Sequence, residues 1–194
     1  MGFRNLGGHP ALDLANTVAS RQPGGADHLS SPEALLHWAG DAGVLRPAEA
    51  GRIGQVWARS PAAAQEALAE VRAVRAMIEP GLAGRGLAEV TRRWAAAIGR
   101  STLVPGPASG SGRAELEVGS DPSLLIPDRL VDALVDLLRN ADRSRLRACP
   151  IAEGGCGWLF LDRSRNGSRR WCAMDDCGTQ VKSRRLTERR RARR

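Results

Sequence analysis

The sequence predicts an α+β protein in two parts. The first is a mainly helical N-terminal body over residues 1–142 with one short antiparallel hairpin. The second is a small module over residues 143–194 that reads as knuckle, β-hairpin and basic helix. Three observations carry this. Apolar residues recur at helical spacing in five segments between residues 32 and 140, with a period-two stretch among them. All four cysteines lie beyond residue 148. The charge divides at the same place. Of 29 Lys+Arg and 21 Asp+Glu, the stretch from Arg143 onward holds 15 and 5, a balance of +10, and the stretch before it carries −2.

A chain of 194 residues with a 42% hydrophobic fraction can bury a core and is not disordered over its length. No run of 18 apolar residues exists, so no membrane partner is expected. Met1 to Leu6 lacks an apolar h-region, so no signal peptide is expected either, and the expected compartment is the cytoplasm. There, cysteines are metal ligands or free thiols more often than disulfides.

The elements follow in order. Ser30 and Ser31 precede Pro32-Glu33, a helix start with a capping box read from Ser30 to Glu33; Leu35, Leu36, Trp38 and Ala39 form its apolar face. Pro47 opens a second helix carrying Ile53, Val56 and Trp57. Ser60-Pro61 opens a third, with a stripe of Ala64, Leu68, Val71, Val74 and Ile78, and Pro80-Gly81 is read as its stop. Leu87, Val90, Trp94 and Ile98 align in a fourth. Residues 101–118 read as a hairpin, because Ala114, Leu116 and Val118 alternate with Glu115 and Glu117. Its long Pro/Gly/Ser-rich loop runs from Pro105 to Gly112. A last body helix spans about Pro127 to Asn140. No Gly-rich phosphate loop follows a strand.

The cysteines have the most specific spacing: Cys149-x6-Cys156, then 15 residues, then Cys172-x4-Cys177. Gly157 to Asp162 is a strand candidate. Arg165-Asn166-Gly167-Ser168 is a tight-turn sequence, which makes Ser168 to Cys172 the expected returning strand. Gly178 to Arg194 has no Pro and no further Gly, and reads as helix. That order is treble-clef-like and can turn both cysteine pairs toward one metal. Four thiolates in tetrahedral geometry select zinc in a closed, structural site. Two disulfides, four unrelated thiols or an iron–sulfur cluster are the alternatives. Four cysteine ligands leave no open position for a catalytic water, and no histidine lies nearby, so the module is not read as an enzyme.

The stretch Arg169-Arg170-Trp171-Cys172-Ala173-Met174-Asp175-Asp176-Cys177-Gly178 resembles the signature of the CGNR zinc finger of bacterial regulators. Thr179-Gln180 stands where that family has Asn-Arg, and Val181-Lys182 again follows its pattern. Gly7-Gly8-His9-Pro10-Ala11-Leu12-Asp13-Leu14-Ala15-Asn16-Thr17-Val18 resembles the opening motif of the ABATE domain, which precedes CGNR fingers in stress-associated transcription regulators. The resemblance implies an ABATE-like domain over 1–142 and a CGNR-type finger over 143–194. It also implies one zinc ion on Cys149, Cys156, Cys172 and Cys177, and a DNA-binding tail.

From Gly178 to Arg194 there are eight Lys+Arg and one acidic residue, Glu188. Such a helix is not held by burial, its like charges repel, and phosphates relieve the repulsion. The expected partner is double-stranded DNA, and a solvated tail is the alternative. Candidate contacts are Arg169, Arg170, Thr179, Gln180, Lys182, Arg184, Arg185, Arg189, Arg190 and Arg191. A surface for RNA or protein is a further reading of the module. In the body, His9, Asp13, Asn16 and Thr17 cluster within nine residues. They either line a small-molecule effector pocket, in a sensor or an unrecognised enzyme, or bond nearby backbone.

Overall fold

The computed structural model describes residues 4–18, 25–106 and 112–191, without the side chains of Arg185, Glu188 and Arg189. The tip of the loop expected over Pro105 to Gly112 therefore lies largely outside the described residues. Two compact units result. One joins Met1–His28 to Asp142–Arg194, and the other is Leu29–Ala141. The described residues before Leu29 thus group with the tail in this division of the fold.

In the Leu29–Ala141 unit, α2 spans Pro32–Asp41, α3 Pro47–Arg59, α4 Pro61–Leu82, α5 Leu87–Gly99 and α6 Leu125–Asn140. Three of these helices begin with proline at N1, where the missing N–H costs nothing and φ is already helical. Ser31, not Ser30, caps α2 by accepting the Ala34 amide, and with Ala34 at N3 no carboxylate stands where the box read from Ser30 to Glu33 would need one. The α4 helix runs through Pro80 to Leu82 instead of stopping.

Leu35, Trp38, Ile53, Leu68, Val71, Val74, Ile78, Leu130, Leu134 and Leu137 form the core of this unit. The α6 helix packs on α4 and α5, while α2 and α3 pack on α4. Buried Glu49 ties the unit together. Its carboxylate accepts both terminal guanidinium nitrogens of Arg129 at 2.7 Å and the Arg46 backbone N–H at 2.7 Å. The expected hairpin is present as β1 (Thr102–Pro105) paired antiparallel with β2 (Ala114–Glu117), with Leu103 opposite Leu116.

In the other unit, α1 (Pro10–Ala15) is a short helix, and α7 (Thr179–Arg191) is the basic helix. Between them, β3 (Leu146–Ala148) pairs antiparallel with β4 (Leu159–Leu161). This corrects the expected hairpin, because β4 pairs backward with β3 and not forward with 168–172. The reason is competition for the far edge of β4. There the Leu161 N–H donates to Gly7 O at 2.9 Å, and the Asn16 amide bonds both backbone groups of Leu159. The Asn-Gly turn survives, organised by a side chain. Buried Asp162 accepts from the Ser164 N–H (2.9 Å), the Ser164 hydroxyl (2.6 Å) and the Arg169 N–H (2.9 Å).

Candidate metal centre

Cys149 and Cys156 sit in the loop that joins β3 to β4. That loop is closed by Cys149 N–H donating to Trp158 O (2.8 Å) and Gly157 N–H donating to Cys149 O (3.1 Å). Inside it, Gly155 N–H donates to Pro150 O at 2.9 Å. Gly154 takes φ +89°, and a Cβ on Gly155 would stand 2.7 Å from the Cys149 sulfur. Both glycines are therefore structural requirements: one for a left-handed turn, the other for close approach of backbone to sulfur. Cys177 lies in a single π-turn, Met174–Gly178, which leads into α7. Cys172 comes just before that turn.

The four sulfurs lie within 4.8 Å of one another, and three of the four cysteines are buried. The Cys156–Cys172 and Cys172–Cys177 sulfur distances are 3.4 and 3.7 Å. A zinc tetrahedron with Zn–S bonds of about 2.3 Å has edges of about 3.8 Å, so the donor set fits the ion in number, chemistry and spacing. None of the four cysteines forms a disulfide.

The thiols also show why a cation belongs among them. Hydrogen bonds from Cys156 and Cys172 push the Cys149 thiol well below the ordinary cysteine range. Donating to Cys149 pushes Cys156 up to about 12 and Cys172 higher still. Burial raises Cys177. One thiolate is stabilised by its neighbours, but four need a compensating dication.

The surroundings are a small core of Phe160, Trp171 and Val181 packed with the cysteines, against which Leu6 and Trp158 also pack. Arg169 stitches it. The guanidinium lies 4.5 Å from the Phe160 ring centroid, donates to Trp171 O at 3.0 Å and also bonds Cys172 O.

These features match known families. A family model described as "Putative stress-induced transcription regulator", ABATE, matches residues 8–141. The chain belongs to the ABATE family. The CGNR zinc finger model matches residues 145–190 of this ABATE protein. No curated protein matches it. The finger match and the four-sulfur cluster together establish one structural zinc ion, held by Cys149, Cys156, Cys172 and Cys177. The family descriptions are of a regulator and a zinc finger, neither of an enzyme.

The remaining residues singled out from sequence sort into distinct places. In the ABATE motif, His9 caps α1 by accepting the Ala11 amide at 3.3 Å, and Asp13 accepts the Gly7 amide at 2.7 Å. Burial is the largest influence on Asp13 and raises its carboxyl above the usual range. Thr17 donates its hydroxyl to Leu14 O at 2.7 Å. Asn16, fully buried, donates its amide to Leu159 O (2.7 Å) and accepts the Leu159 N–H (2.9 Å), spanning 143 positions. Trp158 donates its indole N–H to Val18 O at 2.6 Å. The ABATE opening motif thus serves as the outer edge of the zinc module's sheet.

Arg170 forms a two-pronged bridge to Glu153 at 2.7 and 2.6 Å. Thr179 donates to Met174 O, and Gln180 to Asp176. Lys182, Arg184, Arg190 and Arg191 are exposed on α7. The side chains of Arg185 and Arg189 lie outside the described residues. Sequence reasoning missed Asn16 as a strand partner, Arg169 as a core stitch and Gly155 as a contact to sulfur. The adjacent glycines inside the first cysteine pair were a signal for the last of these. No local signal existed for Asn16.

Proposed function

We propose that this ABATE protein is a transcription regulator whose zinc module docks on duplex DNA through α7. The observation that carries the reading is α7 itself. The zinc turn anchors its N-terminal end, only Val181 among its described side chains is buried, and Leu186 is half exposed. A helix held at one end and covered in arginine is a phosphate-contacting element. The unit that contains it holds 17 basic and 8 acidic residues, while Leu29–Ala141 holds 12 and 13. Net positive charge is thus confined to the zinc-bearing unit. Among the described residues no helix is long and apolar enough to cross a membrane. Lys182, Arg184, Arg190 and Arg191, with Arg185 and Arg189, are the proposed phosphate contacts. Arg169 and Arg170 are assigned to holding the module, and Thr179 and Gln180 to the start of α7. The Leu29–Ala141 unit is the proposed sensor.

Fluorescence anisotropy with a labelled duplex at several salt concentrations tests this. Four to six phosphate contacts predict a log K against log salt slope of roughly −4 to −5. Replacing Arg190 and Arg191 with Gln should lower affinity for all sequences alike and reduce the slope by about 2. Absence of duplex binding at low salt by the zinc-loaded protein would overturn the proposal.

A further inference from the structure

The sensor reading needs a site, and each of the four polar residues of the opening motif already has a partner within the fold. A cavity of about 740 Å³ lies between α2, α3 and α4. That falls within the usual range for small-molecule sites, roughly 300–1,000 Å³. Small side chains create it: Ala50, Gly54 and Ala58 recur at four-residue spacing on α3, and Gly40 faces it from α2. A Cβ at Gly40 would meet nothing within 4 Å. Leu36 and Pro61 add apolar wall, and Trp57 adds an aromatic one. The Trp57 indole N–H is buried without an acceptor, an unmet donor that a finished core seldom leaves.

Among the described residues, the fixed charges that line this cavity are carboxylates. Glu33 and Asp41 line it, eight residues apart on α2, and no Lys or Arg does. Ser31 hydrogen-bonds Glu33 and holds its carboxyl below the usual range, so it is ionised at neutral pH. Asp41 sits 3.0 Å from Nδ1 of His37, which also lines the cavity. An apolar, aromatic-walled space lined by two carboxylates and, among the described residues, by no Lys or Arg is complementary to a lipophilic organic cation.

We propose that the α2–α4 cavity is a binding site for lipophilic organic cations: bulky apolar or aromatic molecules carrying an ammonium-type charge. Such a ligand places its apolar body against Leu36, Trp57 and the small residues of α3, and its charge toward Glu33 and Asp41. The inference rests on the regulator reading only in naming this ligand an effector. The site itself does not depend on DNA binding.

The test uses the full-length, zinc-loaded protein and two probes of one shape and opposite charge, tetraphenylphosphonium and tetraphenylborate, in calorimetric titration. The basic tail can attract the borate by itself, so the reading is of binding that Gly40→Leu removes. That variant fills open space on a helix and should not lower the melting temperature. The phosphonium should bind once per chain, and Gly40→Leu should weaken it at least about tenfold. Within the Gly40-sensitive component it should exceed the borate by about tenfold. The double variant Glu33→Gln, Asp41→Asn should erase that preference while keeping apolar binding. Three results would overturn the proposal: no phosphonium binding, equal Gly40-sensitive binding of both probes, or binding unaffected by Gly40→Leu. A change of oligomeric state in Gly40→Leu without phosphonium binding by the parent would instead make this face a self-association surface. If duplex binding fails while the phosphonium still binds, the regulator reading falls and the site stands.

Discussion

Replacing Asn16 with Ala should unfasten the zinc module from its N-terminal edge. Asn16 is fully buried, and its amide satisfies both the N–H and the C=O of Leu159. Truncation leaves two backbone groups without partners at the start of β4. A buried group stranded this way costs about 1–3 kcal/mol. With partial access for water, the pair should cost about 2–4 kcal/mol. Because β4 follows directly from the loop holding Cys149 and Cys156, the same loss should reach the metal. If zinc leaves through opening of this sheet, release to a colorimetric chelator should accelerate by roughly 30- to 1,000-fold. Urea unfolding and chelator-release kinetics measure the two effects independently. A change in unfolding free energy below about 0.5 kcal/mol, with unchanged zinc release, would refute the view that the opening motif is a strand surrogate.

Other outcomes follow from the same geometry. Stripping zinc with a strong chelator should unfold the unit containing α7 and leave Leu29–Ala141 helical; circular dichroism and limited proteolysis at the arginines of α7 report this. Gly155→Ala forces a Cβ to within 2.7 Å of the Cys149 sulfur, and should lower zinc affinity by at least about tenfold in chelator competition, on the order of other single perturbations around metal ligands. Glu49→Gln should cost about 3–5 kcal/mol at neutral pH, because it leaves the Arg129 guanidinium half-paired beside a buried site.

The pH dependence of that last variant has a definite sign. Hydrogen bonds from Arg129, above all, hold the folded Glu49 carboxyl far below its ordinary value. The stabilisation is complete above the unfolded value of about 4.3. It drains away as pH falls toward the folded one. Urea midpoints measured from pH 7 down to pH 3 should therefore show the gap between parent and Glu49→Gln narrowing only below about pH 4. A gap that is constant over this range would mean that Glu49 acts by packing and not by charge.

What the amino-acid sequence determined by itself is local. Proline at N1 placed the starts of α2, α3 and α4, because its fixed φ and missing N–H suit the first turn of a helix. The Ala114 to Val118 alternation identified β2. Four thiols in two spaced pairs were enough to identify the zinc ligands, since ligand chemistry belongs to residue type and the ion gathers the pairs. The tertiary structure decided everything that depends on competition between distant groups. Gly167 marked a turn correctly, yet the strand before that turn pairs with β3, because Gly7 and Asn16 had taken its other edge. Of Asp13, Asn16 and Thr17, which have the composition of a ligand pocket, Asn16 braces the zinc module, while Asp13 and Thr17 bond nearby backbone. Gly40, Gly54 and Ala58 carry no chemistry of their own and became the walls of a cavity. Backbone hydrogen-bonding capacity is the same at every residue, so no sequence pattern states which partner will satisfy it. Only the assembled fold, by burying one set of pairings, settles the choice.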